Sequence, residues 1–549
     1  MSFLQLVRRE MRGSLRKLLF MAAIGGISSA AVLAAINAGA QAAGESENSS
    51  LWAIALFLVA LTLFIWSQPF VTTTITAEIE AIIHKMRVRL MDAVRRSELL
   101  SIDDIGRSRI VAAINSDAGV LTQASNTLVY SMQSVVLIFF ISIYVAYLSI
   151  AAFIMSVVIV GIAGTVFHLR SRRLALERAR AADQERQLFD RMDDFLDGFK
   201  EVRLNKARSV ALFDDAVEVS RAAANIKIGA QVQTFRQIVS VQSYMYVLLG
   251  AVVFAAPRFG ESLGGASIPK ATTALLFVVG ACFGLVQSIP ILLNANAAAD
   301  RLQKLVSDLS ATASVLPDDT RVLTHFGVIE MRNIVFRYVD KFSDTAFHIG
   351  PIDFSLRSGE LVFITGGNGS GKSTLLRVLA GLYPPDSGEI TLDGMHVNND
   401  TRDSYRSLFS AIFFDYHLFR RLYGIPEPDP VEIGRLLAQF RLDNKTGLSH
   451  GEFRTLDLSS GQRRRLALIV SLLERRPILL LDEWTAEQDP EFRRKFYDEL
   501  LPQLMQAGKT VVVITHDDRY LDELELPARR IRMDEGRVVD QRSMQSGRR

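Results

Sequence analysis

Between Gly366 and Thr374 the chain reads GGNGSGKST, and Gly366, Gly371, Lys372 and Ser373 meet the spacing G-x-x-x-x-G-K-[ST]. Glycines at these intervals let successive backbone N–H groups turn toward a single anion, which is what a loop that cradles phosphates needs. The apolar, β-branched run ELVFIT ahead of it predicts a buried strand, and LLRVLAGL behind it predicts a helix. A helix start adds free N–H groups and a favourable dipole to an anion site. In that frame the backbone of Gly366, Gly367, Asn368, Gly369, Ser370 and Gly371 wraps a β-phosphate. Lys372 reaches the β- and γ-phosphates, the Ser373 hydroxyl binds Mg²⁺, and Thr374 closes the nucleotide-binding stretch.

Three further stretches carry groups suited to the same chemistry. In ILLLDEWT, an apolar run ends in Asp482 and Glu483, which describes a buried strand delivering two carboxylates at its C-terminal edge. Open α/β sheets bind ligands at that edge. Asp482 is placed to hold Mg²⁺, and Glu483 to orient and polarise an attacking water. VVVITH predicts a second buried strand that brings His516 to the same edge, within reach of a γ-phosphate. LSSGQ, from Leu458 to Gln462, precedes the periodic run RRRLALIVSLL and reads as a helix start capped by Ser459 or Ser460. Its free N–H groups make an anion site that needs no lysine.

These loops need a scaffold, and the chain supplies two kinds. At 549 residues it exceeds one ordinary domain, and 49% of its residues are hydrophobic. Six segments are apolar and long enough to cross a bilayer as helices: Leu18–Ala38, Leu51–Val71, Leu128–Tyr147, Leu148–His168, Val239–Ala256 and Ala271–Asn294. Arg8, Arg9, Arg12, Arg16 and Lys17 precede the first span, and strongly basic stretches follow the second and fourth. The positive-inside rule therefore puts both termini and two long helical excursions, Thr72–Thr127 and Arg170–Ile238, in the cytoplasm. The formal charge of +3 gives no reason to expect a nucleic-acid partner, whereas membrane lipids are an expected one. The lone cysteine, Cys282, excludes an intrachain disulfide. Expected boundaries are a transmembrane domain over 1–305, a linker over 306–324 and an ATP-binding domain over 325–549, where strands and helices alternate.

Taken jointly, GGNGSGKST, LSSGQ, ILLLDE and the strand-end His516 resemble the nucleotide-binding domain of ABC transporters. Six spans with long excursions ahead of them resemble the exporter type. The resemblance implies an α-helical membrane domain of six transmembrane helices with cytoplasmic extensions, followed by an α/β P-loop ABC ATPase domain that uses ATP and Mg²⁺. It implies that Tyr338, in VFRY, stacks on adenine. Two such domains sandwich ATP head to tail, so Ser459, Ser460, Gly461 and Gln462 of one subunit face the nucleotide held by Lys372 of another. Asp489, in AEQD, falls in the loop that crosses between them, and a chain with one ATPase domain is expected to act as a homodimer. Two departures stand out. Asp415, in SAIFFDYHLF, occupies the position of a glutamine that links Mg²⁺ to the membrane helices, and Ser460 stands where glycine is commoner. By the same resemblance Asn115–Gly119 and Leu204–Ala207 fall at the turns of the two excursions and form the coupling helices.

Asp415 and DEWTAEQDPEFRRKFY are similar to the subfamily that exports cyclic and non-ribosomal peptides, including the pyoverdine-type siderophore exporters of pseudomonads. That similarity implies ATP-driven export of a peptidic siderophore precursor from cytoplasm to periplasm across the bacterial inner membrane. Another cyclic peptide, a lipid or a drug is an alternative cargo, and a membrane-bound regulatory ATPase that moves nothing is an alternative class.

Overall fold

The computed structural model describes residues 3, 5, 15–42, 47–255, 267–311, 322–339 and 346–544. Arg8, Arg9, Arg12 and most of the 306–324 linker lie outside the described residues. Contacts divide the chain into two units, Met1–Met91 with Ser108–Ser307, and Asp92–Arg107 with Asp308–Arg549.

The first unit is helical. Its elements are α1 (Leu15–Ala42), α2 (Glu47–Arg96), which runs on into the second unit, and, after the short α3 (Leu99–Ile105), α4 (Arg107–Ala112), α5 (Ala118–Leu148) and α6 (Ile150–Asp197). They are followed by α7 (Phe199–Leu204), α8 (Lys206–Gly250) and α9 (Ser267–Ala311). Among the described residues six helical stretches are long and apolar enough to cross a membrane: Phe20–Ala40, Leu51–Arg96, Arg107–Leu148, Ile150–Phe167, Lys206–Ala255 and Pro269–Ala311. Leu33, Ile141, Val145, Val241, Met245 and Leu275 form a core with the small residues Ala152, Ala163, Ala271 and Ala274. Small side chains let helix backbones approach closely where lipid gives no hydrophobic drive. Trp52 and Trp66 stay exposed on α2, as a lipid-facing surface allows. Only Ser149 separates α5 from α6, and its side chain caps α6 by accepting from Ala152 N–H at 3.2 Å.

Several polar residues of the spans are engaged with one another. Gln133 Nε2 donates to Gln68 Oε1 at 2.5 Å. Asn37 Nδ2 donates to the Tyr144 hydroxyl at 3.5 Å, and Tyr144 and Tyr244 pack on the apolar core. Both tyrosines therefore serve helix packing.

The chain reverses elsewhere than the sequence resemblance implied. Asn115–Gly119 lies in unbroken helix, where a π-helical turn (Ala113–Asp117) runs straight into α5. The first reversal is Ser97–Gly106, with Gly106 at φ 85° ending α3. Only glycine adopts that conformation readily. The second reversal is bounded by Gly198 and by Asn205, whose side chain caps α8 by accepting from Arg208 N–H at 3.1 Å. Leu204–Ala207 covers its trailing edge.

Besides an antiparallel pair of short strands, β7 (Leu448–Ser449) and β8 (Glu452–Phe453), the second unit holds two large sheets. Strands β3 (Leu361–Gly366), β6 (Phe409–Ile412), β9 (Ile478–Asp482), β10 (Thr510–Ile514), β11 (Ala528–Asp534) and β12 (Arg537–Met544) form one in the order β12-β11-β3-β10-β9-β6. All its pairings are parallel except that of β12 on β11. The central strands are apolar throughout because both faces are covered. Phe363, Leu481 and Val513 pack on one side, and Val362, Ile364, Leu480 and Val512 on the other. Register sets Ile364 and Asp482 both opposite Ile514, so the chemistry-bearing strand ends share one edge.

The second sheet is antiparallel, with β1 (Val328–Val339), β2 (Ala346–Arg357), β4 (Ser387–Leu392) and β5 (Met395–His396) in the order β2-β1-β4-β5. The alternating strand–helix pattern foresaw only the parallel layer. Helix α3 belongs to this unit, although the expected 1–305 boundary put it with the membrane helices. Leu99 and Leu100 pack on the same core as β1 and β4, Glu98 pairs with Arg406 at 2.5 Å and Arg402 at 3.5 Å, and Tyr383 donates to Asp103 at 3.3 Å.

Candidate functional site

The glycine loop joins β3 to α10 (Lys372–Leu379). Gly366 sits at φ 147°, where a Cβ would meet the Met533 carbonyl oxygen at 2.1 Å, and Gly371 sits at φ 94°, where its own Cβ would meet Ile349 Cγ2 at 2.5 Å. Neither position admits a side chain. Lys372 is buried, and its Nζ donates to the carbonyls of Gly366 at 3.1 Å and Gly367 at 2.8 Å. Burial pushes its ammonium pKa down, while Glu483 and Asp482 pull it back up. Ser370 Oγ, also buried, has no protein partner.

Asp482 ends β9 with 1% of its surface exposed. One oxygen accepts from Ser373 Oγ at 3.1 Å, and the other has no protein partner. Burial raises this carboxyl above the usual range, a shift partly opposed by the Ser373 bond. An orphan buried carboxylate oxygen beside a hydroxyl fits a hard divalent cation, which holds on through one or two protein oxygens when phosphates supply others. Among the described residues no group of three His, Cys, Asp or Glu side chains is clustered for a metal, and a phosphate-bridged ion needs none.

Glu483 lies beyond the strand in a left-handed conformation, φ 49° and ψ 35°. Its N–H donates to the Ile514 carbonyl at 3.0 Å, and its own carbonyl accepts from the Arg464 guanidinium. Its carboxylate meets His516 Nε2 at 3.2 Å. The sequence therefore places Lys372, Ser373, Asp482, Glu483 and His516 at one sheet edge, and the structure brings them there. A cavity of about 710 Å³ is lined by Asn368–Thr374 with Phe347, Arg377, Phe414, Asp415, Asp482 and Glu483.

Other candidates are arranged differently. After α11 (Arg402–Arg406) and α12 (Pro430–Gln439), Ser459 caps α13 (Ser460–Leu473): its hydroxyl accepts from Gln462 N–H at 3.4 Å while Gln462 Oε1 accepts from Ser459 N–H at 3.0 Å. Ser460 is exposed, and a Cβ on Gly461 would meet the Glu487 carbonyl at 2.7 Å. None of these four lines the cavity beside Lys372. Asp489 caps the helix Pro490–Lys495, accepting from Phe492 N–H at 2.8 Å and from Arg465 at 2.5 Å. The Phe492 N–H, with Arg465, holds its carboxyl below the usual range. Tyr338 is 44% exposed and registers opposite Phe347, and it is Phe347 that lines the cavity. Asp415 turns to Arg377 at 3.3 Å and bonds neither Ser373 nor Asp482. Phe347, Arg377 and Arg464 escaped the sequence reading. Only Arg377 left a usable signal, lying one helical turn beyond Ser373.

A family model described as ABC transporter matches residues 349–486. ATP-binding protein SyrD of Pseudomonas syringae pv. syringae is 34% identical over 535 residues, covering 94% of this chain and 92% of that protein. The chain belongs to the ABC transporter family. It is an ATP-binding, ATP-hydrolysing transporter and a multi-pass membrane protein. A probable syringafactin export ATP-binding/permease protein, SyfD of Pseudomonas syringae pv. syringae, is 34% identical over 39% of this transporter and 34% of its own length. The structure of a bacterial Atm1-family ABC exporter with ATP bound superposes with a TM-score of 0.77 at 18% identity, over 97% of this chain and 95% of that one. The transporter thus has the exporter fold.

Lys372→Ala removes the one buried cation of the loop. Charge-assisted hydrogen bonds contribute about 1.5–3 kcal/mol, so ATP affinity is expected to fall about 10- to 150-fold. Equilibrium binding of a fluorescent ATP analogue checks this, and a loss below about threefold would remove Lys372 from phosphate binding.

Proposed function

We propose that this transporter exports a peptidic siderophore precursor of the pyoverdine type from cytoplasm to periplasm, driven by Mg²⁺-ATP hydrolysis in a homodimer. The observation that carries the energy source is the convergence of Lys372, Ser373, Asp482, Glu483 and His516 on one sheet edge. Mg²⁺ would sit on Ser373 Oγ and the free Asp482 oxygen, where it offsets charge on the β- and γ-phosphates. Lys372 holds those phosphates, Glu483 orients the water, and His516 steadies the Glu483 carboxylate and the γ-phosphate. Tyr338 and Phe347 offer aromatic faces for adenine.

One chain leaves Ser460 and Gly461 away from its own Lys372, which supports a site completed by a second copy. In that reading Ser459 and Gln462 shape the helix start that presents Ser460 and Gly461 to the partner's γ-phosphate, and Asp489 anchors the crossing loop. Functional boundaries of 1–305 for the membrane domain, 306–324 for the linker and 325–549 for the ATPase follow, with α3 as a membrane-domain element seated on the ATPase. The bacterial inner membrane, with both termini cytoplasmic, follows from the basic flanks of the spans.

The cargo rests on the sequence resemblance of Asp415 and its neighbours to peptide exporters. The syringafactin relative adds support for a peptide product and favours a second reading, in which the cargo is a lipopeptide. Uptake into inside-out vesicles decides. ATP-dependent accumulation of an acylated siderophore-precursor peptide by wild type, absent with Glu483→Gln, is the expected result. Accumulation of a lipopeptide alone would replace the cargo assignment, and accumulation of neither would sink both.

A further inference from the structure

We propose that Arg377 is a positioning residue for Mg²⁺ binding: it holds the Asp415 carboxylate in an ion pair that the cation must break. This rests on the nucleotide site proposed above.

Four observations converge. Ser373 and Arg377 lie one turn apart on α10 and so share a helix face. The Arg377 side chain is 24% exposed and its guanidinium lies 5.7 Å from the ring centres of both Tyr383 and Phe413, which fixes its direction. One of its nitrogens donates to both Asp415 oxygens, at 3.3 and 3.4 Å. Finally, Ser373, Phe414, Asp415 and Asp482 line one and the same cavity.

Asp415 thus borders the cavity that the Ser373–Asp482 pair lines, while its side chain is 71% exposed and has two cationic destinations. Without the ion it rests on Arg377. With the ion it takes an ion-bound water, as a hard oxygen ligand does. Arg377 thus lowers the apparent affinity for Mg²⁺ by competing for the carboxylate. In return it prevents a third unpaired carboxylate from opposing the phosphates, next to Asp482 and Glu483. Occupancy of the site breaks one contact and makes another, so the segment carrying Asp415 moves only when nucleotide and cation are both present.

The test is the affinity of a fluorescent ATP analogue for the full-length protein in lipid nanodiscs, measured in EDTA and in Mg²⁺. Their ratio is the Mg²⁺ enhancement. Coupling of an exposed ion pair predicts that Arg377→Gln raises the enhancement about 1.5- to 5-fold, and that Arg377→Lys, which keeps the charge, raises it less. In the Asp415→Asn background Arg377→Gln should raise nothing, because no carboxylate remains to be released. An equal rise in both backgrounds would show Arg377 acting as a diffuse positive charge and would overturn the pairing. An enhancement present in wild type but unmoved by Arg377→Gln would overturn it too. A wild type with no enhancement at all would overturn the Mg²⁺ site itself, and this inference with it.

Discussion

Glu483→Gln is expected to lower ATP turnover by about 10²- to 10⁴-fold, the range that a positioned general base contributes. The substitution keeps the shape of the side chain and an oxygen to meet His516, which lies 3.2 Å away. It leaves untouched the backbone bonds to Ile514 and Arg464 that hold this residue in its left-handed conformation. Lys372, Ser373 and the glycine loop keep their contacts, so affinity for ATP should stay within about threefold of wild type. With binding intact and the chemical step blocked, the variant should accumulate as an ATP-bound dimer. Steady-state turnover, with cross-linking of an engineered cysteine pair near Ser460 and Lys372, reads both outcomes. Near-normal turnover would move the base elsewhere at the sheet edge.

The second large effect is expected from Arg464→Met. Arg464 is 2% exposed and reaches three elements from α13. It donates to the Glu483 carbonyl, approaches the Glu487 carboxylate at 3.4 Å, and lies over the Phe414 ring at 5.3 Å. Its own carbonyl accepts from the Trp484 indole at 2.8 Å. Breaking a fully buried pair costs about 3–5 kcal/mol. Glu487 is 38% exposed and recovers some solvation, so roughly 2–3 kcal/mol is a better expectation here. For a domain of this size that lowers the Tm by about 4–12 °C. The clamp on the Glu483 backbone goes with it, so kcat should fall while KM for ATP stays nearly constant. Scanning fluorimetry and steady-state kinetics check the two parts. A Tm change under about 2 °C would mean that the buried guanidinium is replaceable by its apolar neighbours.

The legible parts of the sequence were those with a strong period or a tight spacing. Six apolar runs stood out because a bilayer demands about twenty residues each. Strands such as ILLLD and TVVVI stood out because a covered parallel sheet is apolar on both faces, and they carried Asp482, Glu483 and His516 to one edge. What stayed hidden depends on contacts across long stretches of chain. Nothing local distinguishes Phe347, which enters the cavity, from its cross-strand partner Tyr338. Gln462 and Asp489 matched nucleotide-facing motifs, yet in this chain both cap helices, a local use equally compatible with their types. The first helical reversal was misplaced because the family resemblance put it at Asn115–Gly119, where the helix continues, whereas the break at Gly106 is a single residue whose positive-φ backbone only the fold reveals. Arg464 stands in a run of three arginines with nothing local to set it apart, and only tertiary packing buries it.

Helix α3 has a history as well as a place. Its Asp103 bonds to Tyr383, which follows 280 residues later in the chain. At a synthesis rate of about 5–20 residues per second, α3 leaves the ribosome on the order of 15–60 s before that tyrosine exists. Leu99 and Leu100, whose apolar packing is on the same late-made core, spend that interval in water. The membrane helices are thus finished long before their own short loop can be, and a nascent chain halted after α9 displays two leucines in search of a surface that has not been translated.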